Sequence, residues 1–302
     1  MSDSNLAGIL TTAVDKLSDP QLCEGLFHPH RDGNPLPSGK VLEEIIALSR
    51  AVLFPGFYGY SQLNNNTLRY HIGVSVERLY RLLRDQIQAG LCFVDEDYCN
   101  SKFGNVQTRE VSAKLATQML EAFPSIKQTL ATDVIAAYNG DPAAENTSEV
   151  IACYPIIKAL TNYRIAHELS NLGVPLIPRM MTELAHSETG IDIHPNATIG
   201  KYFTVDHGTG VVIGATCVIG ENVKIYQGVT LGAKSFPLDV DGNPIKGIPR
   251  HPIIGNNVII YANATVLGRI RIGDGCVIGA NTWVTEDMEA DTIKTEKKEN
   301  KK

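Results

Sequence analysis

From Ile193 to Val284 aliphatic residues recur every sixth position. One run is Ile193, Ile199, Val205, Ile213, Ile219, Ile225 and Leu231, and a second is Ile254, Ile260, Val266, Ile272, Ile278 and Val284. Glycine directly follows at Gly200, Gly214, Gly220, Gly232, Gly255, Gly273 and Gly279. Four places after the aliphatic stands a small or apolar residue, as at Ala197, Cys217, Val223, Val229, Val258, Ala264, Cys276 and Thr282. This period fits neither a helix nor an alternating strand. It predicts a triangular parallel β-helix with three hexads per coil. The aliphatic would point inward and the small residue would pack near a corner. The glycine is expected to supply positive φ where the chain turns. An all-β sandwich with accidental spacing is the alternative, and thirteen hexad starts in two phases count against it.

Upstream, the spacing is helical. A helix is predicted over Val41–Leu53, with Leu42, Ile45, Ile46 and Val52 on one face and its end near Pro55. A longer one is predicted over Thr67–Gly90, where Leu68, Ile72, Val76, Leu79, Leu82, Leu83 and Ile87 form a stripe and Gly90 is the expected stop. Two helices are predicted over Val106–Phe123 and Pro124–Tyr138, then a turn at Asn139-Gly140-Asp141-Pro142. Glu149–Leu172 and Pro175–His186 complete the set. Residues 1–35 are weakly patterned, with Phe27-His28-Pro29-His30 read as a surface turn, and the Lys/Glu-rich segment 286–302 reads as a solvated tail. The expected fold is therefore α+β and multidomain. An all-α domain spans 1–187, and a β-helix of hexapeptide repeats spans 188–285.

The 302-residue chain is 43% hydrophobic with a formal net charge of −6, which argues against a nucleic-acid surface. No apolar run reaches membrane-spanning length, and Met1-Ser2-Asp3-Ser4 does not open a secretory leader. The six cysteines show no metal-site spacing, and two of them, Cys217 and Cys276, take inward hexad positions. A reduced, cytoplasmic protein with no metal site is expected.

The repeat breaks twice, and both breaks hold residues capable of chemistry. The step from Val205 to Ile213 is eight residues and contains Asp206-His207-Gly208-Thr209-Gly210. After Leu231 a loop, 232–252, is extruded and closes on Arg250-His251-Pro252. Loops on a rigid frame commonly carry function. A histidine there can take a proton from a hydroxyl, and a neighbouring carboxylate can fix its tautomer. The candidates are His207 beside Asp206, Asp192 at the entrance to the repeat, and Arg250-His251. His194, His186 and His167 read as structural, and His28, His30 and His71 are left unassigned. The Gly208-Thr209-Gly210 run lacks the strand-turn-helix setting of a dinucleotide site. A zinc site on His194, His207 and His251 has no paired spacing, and Arg250 would oppose the cation.

Taken together, Asp192-Ile193-His194-Pro195, Ile199-Gly200, Asp206-His207-Gly208-Thr209-Gly210, Gly228-Val229-Thr230-Leu231-Gly232 and Arg250-His251-Pro252 closely resemble serine O-acetyltransferases. Asp141-Pro142-Ala143 and Tyr163-Arg164-Ile165-Ala166-His167 match the helical domain of that family, and the resemblance covers roughly residues 130 to 285. The hexads alone point only to the hexapeptide acyltransferase superfamily. The Asp-Pro-Ala, Asp-His and Arg-His-Pro motifs point to serine as acceptor.

The resemblance implies a left-handed coil, against the general right-handed preference. It also implies acetyl transfer from acetyl-CoA, a co-substrate rather than a resident cofactor, to L-serine for cysteine synthesis. It casts His207 as general base and Asp192 as the carboxylate orienting it across a coil step. Asp141, Asp206, Arg250 and His251 would bind serine, a division that suits a zwitterion. Acetyl-CoA would lie near Gly232, Ala233, Ala262 and Ala280, in a groove between neighbouring solenoids. A homotrimer or a dimer of trimers is implied, with sites at subunit boundaries, and L-cysteine feedback at the serine site is common in the family. Three features depart from the family pattern. Gly214-Ala215-Thr216 stands where Gly-Glu-Thr is usual, the Ala-Gly-Val-Pro-Ala segment after Val284 is missing, and loop 232–252 is long. The chain ends Glu299-Asn300-Lys301-Lys302 without the isoleucine that binds O-acetylserine sulfhydrylase, so that complex is expected to be weak or missing. Readings with another hydroxyl acceptor, or as a non-catalytic scaffold, are disfavoured by Asp141-Pro142-Ala143 and by the intact His207, Asp192 and Arg250.

Overall fold

The computed structural model describes residues 3–19, 21–22, 36–59, 62–94 and 104–295. The Phe27–His30 turn, Cys23, Cys99 and the end of the charged tail lie outside them. Seven helices are described: α1 (Asp3–Leu17), α2 (Gly39–Leu53), α3 (Asn65–Val94), α4 (Gly104–Gly140), α5 (Thr147–Cys153), α6 (Pro155–Asn171) and α7 (Ile177–Thr189). No described helix is long and apolar enough to cross a membrane.

The helical periodicity places the elements, and tertiary packing moves several boundaries. α2 starts where the Ser38 hydroxyl accepts the Val41 amide, and it buries Leu42, Ile45, Ile46, Val52 and Leu53. α3 runs past Gly90, which serves close packing instead of stopping the helix. A Cβ there would lie 3.1 Å from the Pro175 carbonyl and 3.2 Å from Ile177. The two helices expected around Pro124 are one, α4. Ala116, Met119, Phe123, Ile126, Leu130, Val134 and Ala137 are all buried along it. That unbroken stripe outweighs the ~3 kcal/mol an interior proline costs. Conversely, the helix expected over Glu149–Leu172 is two. Tyr154 is forced to extended geometry (φ −79°, ψ 124°) by the proline after it, so α5 ends and Pro155 opens α6. Residues 3–17, expected to be weakly patterned, form a helix.

The solenoid has fourteen short strands: β1 (Asp192–Ile193), β2 (Thr198–Ile199), β3 (Thr204–Asp206), β4 (Val212–Ile213), β5 (Val218–Ile219), β6 (Lys224–Tyr226), β7 (Thr230–Gly232), β8 (Ile253–Ile254), β9 (Ile259–Ile260), β10 (Thr265–Leu267), β11 (Arg271–Ile272), β12 (Val277–Ile278), β13 (Trp283–Val284) and β14 (Ile293–Lys294). They stack as three parallel sheets, β1-β4-β7-β10-β13, β2-β5-β8-β11 and β3-β6-β9-β12-β14. This is the left-handed β-helix of hexapeptide repeats, about five turns long. Every hexad aliphatic is buried, as are the small residues beside them. The wall continues beyond the expected boundary at 285. Met288 is buried, and Ile293 pairs with Val277.

The glycines act differently from expectation. None of Gly200, Gly214, Gly220, Gly232, Gly255, Gly273 and Gly279 has positive φ. Positive φ falls instead at the next corners, on Tyr202, Asn222, Asn257, Asn263 and Asn281 and on Gly210, Gly228 and Gly275. Asparagine tolerates that region better than most residues. The hexad glycines are needed because successive coils close on one another. A Cβ on Gly200 would lie 2.5 Å from the Gly220 carbonyl oxygen, and one on Gly220 would lie 2.8 Å from the Gly255 carbonyl.

The first coil has an open end. Its amides donate to the second coil, for example Thr198 N to Cys217 O and Gly200 N to Ile219 O, both 2.9 Å. Its carbonyls therefore face away from the stack and need donors from elsewhere. α6 supplies them. Tyr163 OH donates to Ala197 O (2.6 Å), and Arg164 donates to Ile199 O (2.6 Å) and Gly200 O (2.7 Å). His167 Nδ1 lies 2.7 Å from Pro195 O. The buried Asp133 of α4 pairs with Arg164 at 3.1 Å and accepts the Phe203 amide at 3.1 Å. Burial pushes the Asp133 carboxyl up to about 6, against the pull of Arg164. The helical domain thus caps the solenoid.

Cys153, Cys217 and Cys276 are free thiols, and burial pushes Cys217 up to about 12.

If Arg164 is the cap, Arg164→Met should cost about 3–5 kcal/mol, because it strands Asp133 as a buried charge and orphans two carbonyls. Urea unfolding of the variant checks this, and a midpoint matching wild type would refute it.

Candidate active site

The predicted site residues gather in two clusters. The first forms where α4 ends. After Gly140 the chain turns, and Asp141 Oδ1 accepts the Ala143 amide at 2.8 Å. The break before Pro155 brings Tyr154 OH onto Asp141 Oδ2 at 2.5 Å. The Tyr154 hydroxyl, then the Ala143 amide, hold the Asp141 carboxyl below the usual carboxylate range, with smaller pulls from Lys224 and His207. The same bond pushes the Tyr154 phenol up to about 12. Lys224, on the outer face of β6, donates to the Gly140 carbonyl and pairs with Asp206 Oδ2 at 3.2 Å. Its ammonium stands 4.5 Å from the centre of the Tyr226 ring. Asp206 Oδ1 is 3.8 Å from His207 Nε2. The eight-residue step places His207 at positive φ (57°), with its side chain 76% exposed.

The second cluster lies at the other edge of the first sheet. Gly214 makes room there for the His251 ring, which a Cβ at that position would overlap. His251 Nδ1 receives the Thr216 amide (3.1 Å) and lies 2.8 Å from Thr216 Oγ1. Thr216 Oγ1 also accepts the amides of Arg250 (2.9 Å) and His251 (3.1 Å). Arg269 donates to Thr216 O and His251 O, at 2.6 and 3.0 Å. Burial, then Arg250 and Arg269, push His251 down to about 4. The Arg250 guanidinium stands 5.7 Å from the Phe236 ring centre, and its buried Nε has no acceptor among the described residues. His194 belongs here too. Its Nδ1 accepts the Asn196 amide at 3.1 Å. Burial first, then Arg179, His251 and Arg250, push it down to about 4 against Asp192. Asp192 Oδ1 lies 3.6 Å from Arg179.

Among the described residues, no hydrogen bond or ion pair joins the two clusters. The structure therefore brings Asp141, Asp206 and His207 together, and separately Arg250 and His251, while Asp192 pairs with Arg179. Asp192 makes no hydrogen bond to His207. The acetyl-CoA candidates are divided as well. Gly232 and Ala233 sit where loop 232–252 leaves the wall. Ala262 stacks with the 280–281 turn at the opposite corner, through Asn281 N to Ala262 O at 2.9 Å. Glu183, His186 and Asp192 place one ligand atom each within 4.8 Å, but Arg179 pairs with both carboxylates and would oppose a cation. Of the histidines read as structural, His167 serves the cap, whereas His194 lies in the site. Tyr154, Lys224 and Thr216 were not singled out from sequence. Only the Tyr-Pro break, the outward position of Lys224 in its hexad and the Gly-Ala-Thr run flag them.

Known proteins are similar to this chain. Residues 251–286 match the family model described as bacterial transferase hexapeptide (six repeats), and residues 210–236 match that of the hexapeptide repeat of succinyl-transferase. A plasmid-borne serine acetyltransferase of Synechococcus elongatus is 48% identical over 288 residues, 95% of this chain and 88% of that protein. Serine acetyltransferase 1 of Entamoeba histolytica, solved with L-cysteine, superposes with a TM-score of 0.72 at 36% identity, covering 96% of this chain and 99% of that one. Soybean serine acetyltransferase, solved with serine, gives 0.55 at 29% identity, covering 87% of this chain and 98% of that one. With 48% identity over 95% of its length to the first of these, the chain belongs to the serine acetyltransferase family.

Proposed function

We propose that the chain transfers the acetyl group of acetyl-CoA to the hydroxyl of L-serine, giving O-acetyl-L-serine and CoA for cysteine synthesis. The observation that carries this reading is the pair of complementary polar clusters. One offers two carboxylates and an open imidazole, the other an arginine with two neutral imidazoles. A zwitterionic amino acid needs both, carboxylates for its ammonium and a guanidinium for its carboxylate. Asp141 and Asp206 are assigned to the ammonium, and Arg250, whose buried Nε lacks an acceptor among the described residues, to the carboxylate.

His207 is assigned as general base. It takes the hydroxyl proton as the serine oxygen attacks the thioester carbonyl. When the tetrahedral intermediate collapses, the C–S bond breaks and His207 returns the proton to the CoA thiolate. Asp192 is assigned as its orienting carboxylate. Supporting this, Gly210 N bonds Gly190 O at 2.9 Å, so the His207 turn packs on the turn that leads into Asp192.

The separation of the clusters supports a homotrimer in which one subunit's Asp141–Asp206–His207 group meets its neighbour's Arg250–His251 group. Exposed apolar side chains on the extruded loop, Phe236, Leu238, Val240 and Ile245, together with Trp283 on the wall, fit burial against that neighbour. The acetyl-CoA groove is placed between the same two walls, with Gly232 and Ala233 from one subunit and Ala262 and Ala280 from the next. L-cysteine, which carries the same ammonium and carboxylate as serine, is assigned as a competitor there. The protein is assigned to the cytoplasm.

Thiol release from acetyl-CoA in the presence of L-serine tests the activity. His207→Ala should lower kcat by roughly 10²–10⁴-fold. No serine-dependent CoA release by wild type would overturn the function, and undiminished turnover by the variant would overturn the base.

A shared site has its own test. Asp141→Ala and Arg250→Ala should each be nearly inactive alone. Co-expressed as mixed trimers, they should regain a substantial fraction of wild-type activity, because some boundaries then pair two intact halves. A co-expressed mixture as inactive as its parents would sink the shared site.

A further inference from the structure

The contacts around Thr216 fix the state of His251. Thr216 Oγ1 accepts two backbone amides, from Arg250 at 2.9 Å and His251 at 3.1 Å. A hydroxyl has two lone pairs and one proton. With both lone pairs engaged, its proton is left for His251 Nδ1, 2.8 Å away. The Thr216 amide points at the same Nδ1 from 3.1 Å. Two donors converge on that nitrogen, so it carries no proton, and the neutral ring holds its proton on Nε2. The ring is seated on Gly214, where no side chain blocks it. The charged and titratable groups facing it are Arg250 on its own segment, Arg269 on the turn before β11, and His194 on the turn after β1. The two arginines oppose protonation, consistent with a ring that stays neutral down to about 4.

We propose that Thr216 is a positioning residue that makes His251 a hydrogen-bond donor. It locks the imidazole as the Nε2–H tautomer, aimed at an oxygen of the reacting substrate. His251 is thereby excluded from the role of base, which leaves proton abstraction to His207. Arg269 completes the lock by tying the Thr216 and His251 carbonyls together, at 2.6 and 3.0 Å.

This inference rests on the acetyl-transfer reading, so its first test needs no substrate. Imidazole ¹⁵N spectra of the full chain, with His251 assigned by its loss in His251→Asn, should show an unprotonated Nδ1 and a protonated Nε2. That pattern should persist as pH falls through 6.5, the ordinary imidazole value, towards about 4. A proton on Nδ1, or ionisation near 6.5, overturns the proposal whatever the enzyme does with serine. The second test is kinetic. Thr216→Val should lower kcat for acetyl transfer on the order of ten- to a hundredfold, as small misplacements of reacting groups do. It should also move the His251 ionisation up towards 6.5, with Thr216→Ser restoring both. Wild-type kcat and titration in Thr216→Val would overturn the role. If the valine variant does not fold, the wild-type spectrum alone decides. A wild-type enzyme inert towards serine would sink the reaction while leaving the tautomer measured.

Discussion

The buried fork of Arg164 on Asp133 holds the two halves of the molecule in one frame. A solenoid satisfies its backbone coil by coil, so its first coil always has one unsatisfied edge. Here that edge consists of carbonyls, and a helical domain answers with donors: the Tyr163 hydroxyl, the Arg164 guanidinium and the His167 ring. A lone arginine in that seam would be expensive to bury. Asp133 compensates the charge and uses its remaining capacity on the Phe203 amide. Removing either partner would leave the other charged and dry. A lysine could not replace Arg164, because one ammonium cannot reach two carbonyls and a carboxylate in the plane a guanidinium spans.

The cap also positions chemistry. α4 carries Asp133 near its C-terminal end and Asp141 just beyond it, so anchoring the helix on the solenoid fixes where Asp141 emerges. Lys224 then ties the last carbonyl of α4 to Asp206 on the wall. The Tyr154 hydroxyl holds Asp141 from the far side. A carboxylate from the helical domain and one from the solenoid are thereby brought to the same lysine by a buried ion pair about two helical turns away.

The sequence made the solenoid legible because a hexad has two inward positions, the aliphatic and the small residue four places on, and a slip there would expose apolar side chains on every coil. It was less informative wherever one residue type serves two physical ends. Glycine after the aliphatic reads as a turn former, yet Gly200 and Gly220 are there because adjacent coils leave no room for a Cβ. Pro124 reads as a break, yet an uninterrupted buried stripe carries α4 through it. Tyr154-Pro155 reads as helix interior and is a break that delivers a hydroxyl to Asp141. Asp206-His207 and Arg250-His251 were visible because they interrupt the period. Thr216, Lys224 and His194 sit within it, where the sequence marks them faintly and side-chain geometry reveals their partners.

The two clusters differ in kind. The group at Asp141 and Asp206 is anionic, partly neutralised by Lys224, and its His207 is exposed, 3.8 Å from Asp206. The group at Arg250 is cationic, and its two imidazoles stay neutral because burial and nearby arginines both disfavour a proton. Neither has the charge pattern to hold a zwitterion by itself. Arg250 alone would bind any carboxylate, and Asp141 with Asp206 any ammonium. On the proposed reading, assembly across a subunit boundary converts two weakly selective surfaces into one selective site. Selectivity for an α-amino acid then follows from the distance between the halves, which the cap and the coil spacing set rigidly. A base left free on one wall and a histidine locked as donor on the other fit that division. The proton has to move at one face of the substrate, while charge has to be received at the other.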